Sequence, residues 1–114
     1  MTDCVFCRIV AGEIPSDRVY EDDTCLAFRD IQPQAPVHVL IVPRAHIARL
    51  TDLSHDQEAL GGHLMMVASV VARLEGVAED GFRVVINCGT HGQQAVEHLH
   101  LHMLGGRQMT WPPG

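Results

Sequence analysis

Leu60, Leu64, Val67, Val71 and Leu74 recur at three- and four-residue steps, so they share one side of a helix predicted from about Gln57 to Glu75. Ser54 and Gln57 have the spacing of a capping box, and Gly76 supplies a stop. Gly61 and Gly62 each cost that helix about 1 kcal/mol relative to alanine, so close packing is expected there. Val37–Val42 is apolar apart from His38, as in a central strand buried on both faces, and Pro43 ends it. Val19–Tyr20 and Cys25–Phe28 flank the acidic turn Glu21-Asp22-Asp23 and predict a hairpin. Residues 4–11 predict a short helix closed by Gly12 and Pro15. Phe82–Cys88 and His98–Leu104 predict two more strands, joined by the glycine-bearing loop CGTHGQQA. Strands lie on both sides of the long helix without βαβ regularity. The class is therefore α+β with a mostly antiparallel sheet.

Length and charge narrow the field. The chain has 114 residues, enough for one domain, and its 46% hydrophobic content suits a packed core built on Val, Leu, Ile and Met. A net charge of −6 argues against nucleic-acid partners. All eight basic residues are arginine, which excludes Schiff-base chemistry, lysyl-nucleotide intermediates and the P-loop lysine. The apolar runs are too short to cross a membrane. The stretch MTDCVFCRIVAGEIP has no cationic leader followed by an apolar run, so a cytoplasmic protein is expected, with its four cysteines reduced or bound to metal. Cys25 and Cys88 fall in apolar stretches and are expected in the core.

Near the carboxyl end, EHLHLHMLGG spaces His98, His100 and His102 two residues apart. Alternate residues of a strand share a face at roughly 6.7 Å, so these rings project together while Leu99, Leu101 and Met103 face the core. Three uses fit the row: a solvated edge-strand face, a metal site, or acid–base and nucleophilic work on a phosphate. Neighbouring rings disfavour charging one another, so a mixed protonation state is expected. The preceding loop, with Asn87, Gly89, Gly92, Gln93 and Gln94, offers amides and open backbone N–H groups suited to phosphoryl oxygens. That adjacency favours the third use.

The row HLHLHML closely resembles the signature of the histidine triad superfamily. The ending GGRQMTWPPG is similar to its Hint branch, the histidine triad nucleotide-binding proteins. FCRIVAGEIPSDRVYEDD, LAFRDIQPQAPVHVLIVPRAHI, GHLMMV and NCGTHGQQAVEHLHLH also resemble Hint segments, so the likeness covers nearly the whole chain. It implies a single domain, residues 1–114, with about five strands, one long helix and one short helix. It also implies a homodimer across which the sheet extends, with the long helix and a central strand at the interface. The 105–114 tail, bearing Trp111, would reach toward the partner's site.

The implied substrate is a purine nucleoside monophosphate adduct. By resemblance, His100 is the nucleophile, forming a nucleotidyl-histidine that water hydrolyses; His102 binds the phosphate and assists the leaving group; His98 orients the nucleophile. Asn87 and Gln94 match phosphate contacts, Asp30 the carboxylate that accepts from the ribose hydroxyls, and Val5, Phe6, Phe28 and Ile31 the purine slot. Ala95 stands where many Hint proteins have a phosphate-binding serine, and Glu97 where an aromatic residue is common. The implied reaction is hydrolysis of P–N linked nucleotide adducts. Hydrolysis of dinucleoside polyphosphates, and nucleotide binding with weak catalysis, are the alternatives.

Cys4-x-x-Cys7 is half of a zinc site or a pair of reduced thiols. Some bacterial histidine triad proteins complete such a pair with two histidines, which here correspond to His46 and His98; animal-type Hint proteins lack the cysteines. The resemblance thus implies a closed, structural zinc site of Cys4, Cys7, His46 and His98. His38, His55, His63 and His91 receive no role, and His55 and His63 are expected to face solvent.

Overall fold

In the computed structural model, which describes residues 3–114, the chain runs α1 (Val5–Val10), β1 (Arg18–Glu21), β2 (Cys25–Arg29), β3 (Val37–Pro43), α2 (Glu58–Leu74), β4 (Phe82–Val85) and β5 (Leu101–Gly105). Two 3-10 turns, Leu50–Asp52 and His55–Gln57, precede α2. The strands form one antiparallel sheet in the order β1-β2-β3-β5-β4, so the last strand returns to the middle, between β3 and β4.

The period of two along β3 and β5 divides the interior. Val39, Ile41, Leu101 and Met103 point to one face, where Leu64, Val67 and Val71 of α2 close the larger core cluster. Leu40 and Val42 point to the other face, where Phe6 and Ile9 of α1 cover them together with Leu26 and Phe28. Each such side chain stabilises the fold by about 1.5–3 kcal/mol through burial. The histidines of the row alternate with Leu99, Leu101 and Met103 and therefore lie on the α1 side.

The helix ends follow local chemistry. The Ser54 N–H donates to Gln57 Oε1 at 3.0 Å, the reach-back arm of the expected capping box, and the Gln57 N–H donates to the Ser54 carbonyl at 2.9 Å, closing the 3-10 turn from which α2 starts. Gly76, at φ +77°, ends the helix in the left-handed region with its N–H donating to the Arg73 carbonyl. The apolar stripe is rotated from the expected one: Ala68 and Ala72 are buried, whereas Leu74 is 61% exposed. Close packing at Gly61 and Gly62 is not found among the described residues. A Cβ at Gly61 would reach only Leu53 Cδ1, at 4.0 Å, and one at Gly62 would meet nothing.

The two C-terminal strands are shorter than expected. β4 ends at Val85, which leaves Cys88 half-buried outside the sheet with Sγ 3.8 Å from Thr51 Oγ1; Cys88 is not a core residue. Cys25 is fully buried, and burial, helped by the nearby Asp22 carboxylate, pushes its thiol up to about 12. β5 starts at Leu101, not His98. Its ladder with β3 stops near Pro43, which has no N–H to extend it, and the Leu99 N–H donates to the Ile47 carbonyl instead.

His63 also departs from expectation. Its Nε2 lies 2.7 Å from Asp22 Oδ2, tying α2 to the β1–β2 turn. Asp22 further accepts from the Tyr20 hydroxyl and from the Thr24 and Cys25 N–H groups, each at 2.8 Å. Burial pushes this carboxyl up, but the four hydrogen bonds outweigh it and hold the group well below the usual carboxylate range. His55, in contrast, is exposed. No helix among the described residues is long and apolar enough to cross a membrane.

Candidate active site and metal centre

Cys4 caps the first turn of α1, its Sγ accepting from the Cys7 N–H at 3.4 Å, so both thiols sit at one end of the helix. Two histidines from distant segments meet them there. His98 Nδ1 lies 3.3 Å from Cys4 Sγ and 3.6 Å from Cys7 Sγ, and His46 Nδ1 lies 3.2 Å from Cys7 Sγ. The four ligand atoms are all within 4.8 Å of one another. A tetrahedron with Zn–S near 2.3 Å and Zn–N near 2.0–2.1 Å has S···N edges of about 3.5 Å, so this donor set fits a closed zinc site.

The tautomer of His98 also suits ligation. Its Nε2 faces the Pro43 carbonyl at 2.8 Å, and a carbonyl only accepts, so Nε2 carries the proton and Nδ1 presents its lone pair to the thiols. Burial lowers the pKa of this ring, against the raising effect of the Pro43 carbonyl, and His46 and His100 lower it further.

The same logic fixes the other two rings of the row. His100 Nδ1 is 2.7 Å from the His98 carbonyl, so Nδ1 carries the proton and Nε2 is left as a nucleophilic lone pair. His102 is set through His38, a residue to which the sequence assigned no role. The Gln34 N–H donates to His38 Nδ1 at 3.0 Å, so neutral His38 carries its proton on Nε2. That proton is directed to His102 Nδ1, 2.9 Å away, and His102 therefore carries its own on Nε2. Asp30 Oδ2 stands 3.5 Å from the same His38 nitrogen.

Both rings of this relay are held neutral. Burial lowers His38, opposed by Asp30; burial, then His100 and His38, lower His102 to about 4. His102 and His38 are thus neutral rings with complementary tautomers. The row offers a lone pair at His100 and a proton at His102, with the two ring centres 4.9 Å apart.

Beside the two rings lies a cavity of about 400 Å³ between α1 and β2. It gathers Val5, Phe6, Phe28, Asp30, Ile31, Ala95, His100 and His102 of the expected site, and adds Ile9, Ile14, Pro15 and Ser16. Phe6 meets Phe28, His100 and His98 edge-on, at centroid distances of 5.7, 5.0 and 5.9 Å. Ile31 stands at the rim, 95% exposed.

Three of the expected substrate-binding residues lie apart from this lining. The Gln94 amide is committed to backbone groups of its own loop and of the segment after β3: Nε2 donates to the Val96 and Ala48 carbonyls, at 2.9 and 2.7 Å, and Oε1 accepts from the Gly89 N–H at 3.0 Å. This braces a tight turn in which a Cβ on Gly92 would come within 2.7 Å of the Cys88 carbonyl oxygen. Asn87 is half-buried beyond the end of β4, and Trp111 is 82% exposed. Glu97 points away to Arg49, meeting its guanidinium at 3.1 Å through both oxygens.

Comparison with known proteins agrees with this fold. An uncharacterised HIT-like protein of Synechococcus elongatus is 53% identical over 112 residues, which are 98% of this chain and 97% of that protein. A 14 kDa zinc-binding protein of Zea mays is 55% identical over 113 residues, covering 96% of this chain and 87% of its own. The solved structure of a HIT family hydrolase from Legionella pneumophila superposes with a TM-score of 0.96 at 52% identity, over 98% of this chain and all 100% of that one. Residues 11–109 match the HIT domain, and the chain belongs to the HIT domain family.

Proposed function

We propose that the protein hydrolyses purine nucleoside phosphoramidates, the activity implied by its likeness to the Hint branch, through a nucleotidyl intermediate on His100. The observation that carries this reading is the pairing of tautomers: an unprotonated Nε2 on His100 beside a protonated Nε2 on His102, both lining one slot.

The apolar walls of the slot suit a flat base, Asp30 suits two vicinal ribose hydroxyls, and the two histidines suit the phosphate. In the first step His100 Nε2 bonds to phosphorus as the P–N bond breaks. The electron pair goes to the amine nitrogen, which leaves with a proton drawn from solvent, while His102 Nε2–H donates to a phosphoryl oxygen. In the second step water attacks phosphorus, the P–Nε2 bond breaks, and the proton lost by the water returns to solvent.

Cys4, Cys7, His46 and His98 would hold zinc, as a structural tie with no open coordination position. The zinc-binding relative and the fit of the four donors support this assignment. We also take the protein to be a homodimer. Met65, Met66 and Leu74 on α2, with Phe82 and Trp111, leave large apolar side chains exposed that a second copy would cover.

The test is AMP release from an adenosine phosphoramidate, wild type against His100→Ala. Loss of turnover in the variant, with a phosphorus–histidine adduct trapped on the wild type, is the expected result. Equal rates, or a preference for diadenosine polyphosphates, would overturn the phosphoramidase reading.

A further inference from the structure

Ser16 follows Ile14 and Pro15 in the loop after α1 and lines the nucleotide slot. Its Oγ is buried, and among the described residues it is the one buried side-chain oxygen or nitrogen with no hydrogen-bond partner. A hydroxyl left so destabilises the folded chain by its full desolvation, so it calls for a reason.

The backbone around Ser16 is firmly placed. The Asp17 carbonyl accepts from the Arg29 N–H at 2.9 Å, and Arg18 pairs with Phe28 while its guanidinium donates to the Ile9 carbonyl. Continuing that antiparallel register back by two residues sets Ser16 level with Asp30. Side by side on that wall of the slot stand the carboxylate suited to the ribose and a hydroxyl with nothing to bond. Rotation about Cα–Cβ gives this hydroxyl three staggered positions, enough to meet a ligand that fills the slot.

We propose that Ser16 anchors the base, its hydroxyl donating to purine N3, the ring nitrogen beside the sugar that adenine and guanine share. This deepens the reading of the slot as a purine nucleotide site and rests on it. The aliphatic and aromatic walls hold a base by contact area alone; Ser16 adds a directional bond at the sugar–base junction, beside the carboxylate that takes the ribose hydroxyls. Because N3 is common to both purines, the bond fixes orientation without choosing between them.

The experiment compares wild type with Ser16→Ala, binding AMP, GMP, 3-deaza-AMP and ribose 5-phosphate, with the melting temperature of each ligand-free protein recorded alongside. The expected result is AMP and GMP weakened alike, by about three- to tenfold, with ribose 5-phosphate and 3-deaza-AMP unchanged. The ligand-free variant should melt no lower than wild type, since only an unpartnered hydroxyl is removed. Equal weakening of ribose 5-phosphate, undiminished AMP affinity, or a melting temperature lowered by several degrees would overturn the proposal. If wild type binds neither AMP nor GMP, the purine site itself fails, and this inference with it. If wild type binds them and the variant binds equally well, the inference alone fails.

Discussion

His38 Nε2 lies 2.9 Å from His102 Nδ1, and this contact, between residues 64 apart in sequence, places the proton of neutral His102 on Nε2. Replacing His38 with Phe should lower kcat for phosphoramidate hydrolysis by roughly three- to tenfold, the value of one neutral hydrogen bond of about 0.5–1.5 kcal/mol. His38→Asn, which restores a donor, should recover part of the loss, and AMP affinity should change less than turnover. Steady-state kinetics on the three proteins checks this; a phenylalanine variant with unaltered kcat would remove the relay from the mechanism.

The depressed pKa of His102 makes stability depend on pH in one direction. The ring has a pKa near 6.5 when unfolded and about 4 when folded, so the unfolded chain binds the extra proton more readily as pH falls. Its contribution to stability is fully present above about pH 6.5 and is lost progressively as pH falls toward 4. Urea unfolding at steps between pH 8 and pH 4 should show wild type losing stability more steeply than His102→Asn. Parallel pH profiles for the two proteins would contradict this.

Metal analysis should find one equivalent of zinc per chain, lost in Cys7→Ser. Removing zinc from wild type with a chelator should lower the melting temperature, because the cluster joins α1 to the segments carrying His46 and His98. A metal-free wild type that melts no differently from a zinc-reconstituted sample would refute the assignment.

Asp22→Ala should destabilise the protein by about 2–4 kcal/mol, since it strips an acceptor from Tyr20, His63 and two backbone N–H groups. AMP binding by the folded fraction should persist, because this knot lies toward α2, across the sheet from the slot. Chemical denaturation paired with a binding isotherm separates the two effects; lost affinity in a fully folded sample would show that the knot reaches the slot.

What the sequence made legible was what repeats. The period of two across the histidine row separated its rings from the core-facing Leu99, Leu101 and Met103, the continuous apolar run marked β3 as a central strand, and the three-and-four period located α2 to within a residue at each end. Features that depend on partners far away in the chain were hidden. His38 was visible as the polar residue in an apolar strand, but its role exists only because β5 returns beside β3. The start of β5 depends on where Pro43 runs out of N–H groups, and the engagement of Gln94 on how its loop folds. Cys4-x-x-Cys7 left reduced thiols and a metal site equally open until the fold brought His46 and His98 to the same helix end.

Phe6 touches three rings that belong to separate parts of the proposal: Phe28 in the slot, His100 as the proposed nucleophile, and His98 among the proposed metal donors. A phenotype at that one position would therefore mix all three proposed tasks. Dissecting them genetically has to begin from the outer members of the cluster, never from the aromatic hub they share.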